Sequence, residues 1–197
     1  GKVYKWVIPL GGISQGDYSP SRLIITPKQR QMITAGIDIR LGEFLSLESE
    51  LAYSKNDINT FSRYDSKDNN SFAGRAKLKG EIPLSKDSIS NWVLRTNLGI
   101  EARDLNFNPI ENYRSVEFDR DWNTRDKGYL GNEVASNLGF DFRRRKYGNI
   151  NLEAQHYVIG GDYQGLRGSL NGKWKQKGRM RSMPSRLLYQ TAEFAQL

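Results

Sequence analysis

Along most of the chain, apolar and polar residues exchange places at every step, the period of a β-strand whose two faces meet different surroundings. Seven segments show it. Their apolar sides read Ile33, Ala35, Ile37, Ile39 and Leu41; Leu45, Leu47, Ser49, Leu51 and Tyr53; Phe72, Gly74, Ala76, Leu78, Gly80, Ile82 and Leu84; Trp92, Leu94, Thr96, Leu98, Ile100 and Ala102; Val134, Ser136, Leu138, Phe140 and Phe142; Ile150, Leu152, Ala154, His156 and Val158; and Leu166, Gly168, Leu170, Gly172 and Trp174. No Asp, Glu, Lys or Arg stands on that side. The interleaved positions hold Asp38, Arg40, Glu48, Glu50, Arg75, Lys77, Lys79, Glu81, Arg95, Glu101, Arg103, Asp141, Arg143, Glu153, Arg167, Lys173 and Lys175. A one-residue slip in pairing carries every charge onto the apolar side, so the register is strongly specified.

The pattern predicts an all-β fold, an antiparallel up-and-down meander of about eight strands in a single domain over 1–197. Short and long connections alternate: a tight turn at Gly42, Glu43 and Phe44, a long polar loop over 54–71, a very long one over 105–131, and a Gly160-Gly161-Asp162 turn of middling length. Pro83 falls near a strand end, where its missing N–H is tolerable. Tyr113–Trp122 also alternates, with Val116, Phe118 and Trp122 opposed to Glu117, Asp119 and Asp121, and is expected to be a strand or strand extension. Lys2–Leu10 looks like a further strand. In Arg186–Leu197, the residues Leu187, Leu188, Ala192 and Ala195 also suit a short helix.

Alternation alone does not separate a membrane-spanning sheet from a soluble sandwich, which also hides one face and wets the other. Three features favour lipid. Tyr53, Phe72, Trp92, Phe142 and Trp174 stand at the ends of apolar stripes, where interfacial girdles sit. The stripes Phe72–Leu84 and Trp92–Ala102 are long enough for a tilted strand to cross hydrocarbon. The interleaved charges are of both signs and suited to line a small lumen. The expected fold is therefore a closed transmembrane β-barrel or part of a larger one, in the outer membrane of a Gram-negative bacterium. Its turns face the periplasm and its long loops the outside. Membrane lipid is the expected partner, with other outer-membrane or periplasmic proteins as candidates. The alternative is a soluble, secreted β-sandwich module that binds glycan or protein through exposed aromatics.

Composition removes several function classes. With no cysteine, the 197-residue chain has neither disulfides nor a thiolate metal site, and with His156 as its one histidine it cannot make a His-rich metal centre. His156, between Ala154 and Val158 on the apolar stripe, reads as a packed or interfacial residue. The formal charge of +8 raises the question of nucleic acid. Its densest runs, Arg143 to Lys146 and Lys173 to Arg181, fall where turns or strand ends are expected, so nucleic acid is not an expected partner. No stretch of about 18 apolar residues supplies a transmembrane helix.

Carboxylate pairs such as Glu48 with Glu50 or Asp119 with Asp121 read as solvated or lumen-lining positions, and the Asp65–Asn70 loop lacks the Gly and closing Glu of a Ca²⁺ loop. The glycines Gly160, Gly161, Gly165, Gly168 and Gly172 do not lie between a strand and a helix as a phosphate-cradling loop requires. No enzymatic activity and no cofactor are expected.

Three stretches carry a family likeness: GDYSPSRLIITPKQRQMITAGIDIRLG and LESELAYSKNDINTFSRYDSKDNNSFAGRAKLKG, both within Gly16–Gly80, and later YRSVEFDRDWN. They resemble a segment of the large outer-membrane β-barrel proteins of the Bacteroidota, in which an entry segment ending near a Thr-Pro-Lys leads into strand pairs with an Asn-, Asp- and Ser-rich outer loop. The likeness covers about half the chain and implies no catalytic residues. Many complete barrels of this kind finish on an aromatic residue. The ending Phe194-Ala195-Gln196-Leu197 departs from that and predicts an internal fragment.

Overall fold

A computed structural model describes residues 3–17, 25–62, 64, 66–85, 92–144, 147–176 and 179–192, with 176, 179, 180 and 184–192 described by their backbone alone. Eight antiparallel strands form one sheet in chain order: β1 (Gln29–Leu41), β2 (Leu45–Asp57), β3 (Asn70–Pro83), β4 (Trp92–Arg103), β5 (Glu133–Arg144), β6 (Gly148–Ile159), β7 (Tyr163–Gln176) and β8 (Arg179–Ala192). A four-residue helix, α1 (Phe118–Asp121), lies in the connection from β4 to β5.

The register keeps the two kinds of residue apart across the whole width of the sheet. One lateral row runs Ile39, Leu47, Leu78, Leu98, Leu138, Ala154, Gly168, and the next runs Ile37, Ser49, Ala76, Ile100, Ser136, His156, Leu166. On the other face, unlike charges stand directly opposite one another: Glu48 and Lys77, Glu50 and Arg75, Arg75 and Glu101, Glu81 and Arg95, Arg95 and Asp141. Such cross-strand pairs each stabilise a sheet by a few tenths of a kcal/mol to about 1 kcal/mol.

Among the described residues, nothing is laid over the apolar face. Ile33 is 67% exposed, Leu51 68%, Leu98 51% and Ile100 53%. The buried cluster found among the described residues, Trp122, Tyr157, Ile159 and Tyr163, belongs to the charged side.

Three expectations need correction, and the tail, open between strand and helix, is settled. The eight strands do not close into a barrel, because β1 and β8 make no contact among the described residues and both keep an unpaired edge. Lys2–Leu10 is not a strand in its described part, where Leu10 alone takes a ladder position, in an isolated bridge to Ile13. Tyr113–Trp122 is loop and helix, because Phe118 and Trp122, four apart, share one face of a helical turn as readily as one face of a strand. The tail as far as Ala192 is strand β8, and residues 193–197 lie outside the described part. There the register shifts: Leu187 opposes Gly168 and Tyr189 opposes Arg167, so Leu188 is the extra residue of a bulge. The strands also run longer than their stripes, 12 to 14 residues each, so the loops occupy 58–69 and 104–132.

The β5–β6 hairpin depends on Gly148. Its φ of 148° is one that side-chain-bearing residues rarely adopt, and a Cβ there would run into the Lys173 carbonyl of β7. Gly148→Ala is expected to destabilise the fold by about 1–3 kcal/mol. Gly161→Ala, where a Cβ meets open space, should stay within about 0.5 kcal/mol of the parent in the same denaturant titration.

Candidate functional site

The charges expected to share one side do so, and many pair across strands. Arg75 meets Glu50 at 2.6 Å and Arg95 meets Glu81 at 3.1 Å, Lys79 bonds Glu48, and along β5 itself Arg143 reaches Asp141 at 3.3 Å. Glu153 accepts a hydrogen bond from Gln155. Asp38, Arg40, Lys77 and Lys173 share the face without an ion pair among the described residues. A cleft of about 780 Å³ opens on this face beside the β1–β2 turn, between Arg40, Lys77, Lys79, Glu81 and Arg95.

At the other end of the strands, the 104–132 loop lies down on the charged face. Its first part crosses β1–β3: Phe107 and Pro109 sit beside Met32, Thr34, Ala52 and Ala73 around a cavity of about 260 Å³, and the Asn108 carbonyl accepts a bond from Ser54. Its later part reaches β6 and β7. Phe118 packs edge-on against Tyr157 at 5.1 Å between centroids, and Trp122 lies 5.4 Å from the same ring. The Tyr163 hydroxyl donates to the Trp122 carbonyl at 2.5 Å, and Arg167 donates to Asp121 at 3.2 Å. Gly165 makes the fit possible: a Cβ there would come within 3.0 Å of the Trp122 ring. Just past the short helix, Asn123 has a φ of 54°, the left-handed turn that Asn tolerates.

Arg114 fastens the loop to the sheet. Its guanidinium donates to Glu101 of β4 and Glu133 of β5, each at 2.5 Å, and to the Tyr157 hydroxyl at 3.2 Å, while lying 4.4 Å above the Phe118 ring. Tyr157 in turn donates to Glu133 at 2.6 Å, Arg103 pairs with Glu133, and Tyr113 donates to Glu101 at 3.1 Å. Two arginines and two glutamates thus neutralise one another where the Arg114 and Glu133 side chains are only 12% and 11% exposed. Burial works against the charge on Arg114, and the bonds to Glu133 and Glu101 more than offset it, so its pKa is raised. Burial also raises the Tyr113 phenol, which stays protonated as a donor.

The expected girdle aromatics fall into two groups at opposite ends of the apolar face. Tyr53 and Phe72 pair at 5.3 Å at the long-loop end. Trp92 and Trp174 lie 6.1 Å apart at the short-turn end, where Phe142 stands opposite Leu94 and Ile150. His156 bonds Gln164 through Nε2 at 2.9 Å, and no group of three His, Asp or Glu that could hold a metal ion occurs among the described residues. Sequence reasoning missed Arg114 and its partners Glu133, Tyr113 and Tyr157. Tyr157 and Ile159 were the available signal, two apolar residues on the charged side of β6 that call for a cover.

Comparison with protein-family models, curated proteins and solved structures finds no match for the chain.

Arg114→Met leaves Glu101 and Glu133 short of a buried partner, a loss of about 2–4 kcal/mol. The loop is expected to lift, and trypsin should then cleave after Arg120, Arg125 or Lys127 at least tenfold faster than in the parent. Unchanged cleavage would show that the clasp does not hold the loop.

Proposed function

We propose that the chain is a wall segment of an outer-membrane β-barrel in a Gram-negative bacterium. Its apolar face meets lipid, its charged face lines a water-filled lumen, and the 104–132 loop folds into that lumen from the long-loop end. The role is structural, in transport or in surface assembly, and involves no catalysis. The observation that carries the reading is the uncovered apolar face. A water-soluble monomer rarely exposes a contiguous apolar patch beyond a few hundred Å², and here the apolar face from β1 to β7 is bare among the described residues.

Two further facts support it. Strands of 12 residues extend about 40 Å, enough to cross a hydrocarbon layer at the tilt of barrel strands. Among the described residues both edges of the sheet carry unpaired backbone groups, which in hydrocarbon cost several kcal/mol each. The proposal therefore places further strands beside β1 and β8, as in a larger barrel. A secreted sandwich would instead need a second layer over Leu98 and Ile100, and the described residues offer none.

Leu98→Arg distinguishes the two surroundings. At mid-band in lipid it is expected to cost about 2–4 kcal/mol, measured by equilibrium folding into phospholipid vesicles, whereas Lys77→Gln on the charged face should be nearly neutral. A protein that stays a sharp monomer in plain buffer and tolerates Leu98→Arg contradicts the proposal.

A further inference from the structure

One lateral row at the short-turn end of the apolar face breaks the rule that excludes charge. Trp92 stands opposite Arg144, Arg144 opposite Gly148, Gly148 opposite Trp174, and Trp174 opposite Arg181. Arg144 follows Phe140 and Phe142 at period two, so its side chain belongs to the apolar side of β5. Its guanidinium lies over the rings of Trp92, at 5.6 Å, and Tyr147, at 4.3 Å. Gly148 has no side chain, which leaves room for Trp174 to approach Trp92 above it.

The polar partnership of Arg144 is incomplete. On the other face Arg75, Arg95, Arg103 and Arg143 each meet a carboxylate. Arg144 and Arg181 meet none among the described residues, and the Arg144 Nε is buried without a hydrogen-bond partner. A guanidinium held on an apolar face with no carboxylate beside it calls for an acceptor from outside the chain. Its position says what kind. From Trp92 to Ala102, β4 runs about 34 Å, or about 24 Å across the membrane at a 45° tilt, close to the height of a barrel's lipid-facing band. The row thus sits where hydrocarbon gives way to headgroups, with Leu94, Phe142 and Ile150 on its apolar side.

We propose that Arg144, framed by Trp92, Tyr147 and Trp174 and with Arg181 further along the same row, binds the phosphate of a phospholipid headgroup in the leaflet at the short-turn end. This rests on the membrane reading above. The guanidinium fork matches phosphate oxygens in geometry and charge, the rings hold it flat, and the acyl chains lie along Leu94 and Phe142. A free anion would satisfy the guanidinium but has no use for the adjoining apolar surface.

The test is native mass spectrometry of the full chain released from uncharged detergent micelles, with phosphatidylglycerol added. A galactosyl diacylglycerol with the same acyl chains, and inorganic phosphate as competitor, serve as comparison arms. The parent is expected to retain phosphatidylglycerol roughly tenfold better than the galactolipid. Arg144→Gln combined with Arg181→Gln should bring the two lipids level, and inorganic phosphate should not displace the phospholipid. Arg144→Lys, a milder change, should lose part of the preference, which keeps the test decisive where the double variant does not fold. Equal retention of both lipids by the parent, an unchanged preference in the variants, or displacement by inorganic phosphate overturns the proposal. A chain that needs detergent yet shows no preference overturns this site alone; a chain monodisperse without detergent overturns the membrane reading.

Discussion

Two faces of one hydrogen-bonded sheet prefer opposite solvents, and the register that keeps them apart is the constraint on which the other features depend. Moving β4 by one residue against β3 sets Arg95 and Glu101 among Leu78 and Ala76 and turns Leu98 and Ile100 toward the charges. Neither oil nor water then suits either face. The cross-strand pairs Glu50–Arg75 and Glu81–Arg95 add to this lock, because each fits in one register only. The exposed ion pairs contribute little stability singly, and their larger effect is on specificity.

The same division accounts for where the long loop goes. Phe118, Trp122 and Tyr129 are aromatic, and in water a bare apolar face would be their natural cover. They pack instead on the charged side, around Tyr157 and Tyr163, with Arg114 anchored between Glu101 and Glu133. That choice makes sense when water is on the charged side and the apolar side already has its solvent, since burial of rings is favourable only where water is displaced. The loop then narrows one end of the space bounded by the sheet while the cleft beside Arg40 and Arg95 stays open at the other.

Most of the sheet was legible because its code is binary. Seven strands and their facing follow from period-two alternation alone, and the observed register puts Leu47, Leu78, Leu98 and Leu138 in one row as that code requires. The eighth strand was obscured by its bulge, which places Leu187 and Leu188 side by side and erases the alternation. The helix at Phe118–Asp121 was read as strand because a spacing of four satisfies both periods. Closure was not legible, for it depends on how the edges of β1 and β8 are matched and not on which residues alternate. The Arg114 clasp depends on contacts between a loop and strands far away in sequence, which no local pattern encodes.

The central claim is that even-numbered positions of β4 meet hydrocarbon while odd-numbered ones meet water. The chain has no cysteine, so single cysteines can be placed from 93 to 102 and spin-labelled without background. Power saturation in phospholipid vesicles then compares access of oxygen, which concentrates in hydrocarbon, with access of a water-soluble nickel chelate. The account predicts a strict two-residue oscillation, with oxygen dominant at 94, 96, 98 and 100 and the chelate dominant at 93, 95, 97 and 99. Equal access of the chelate to both sets, or an even set closed to both reagents, would contradict it.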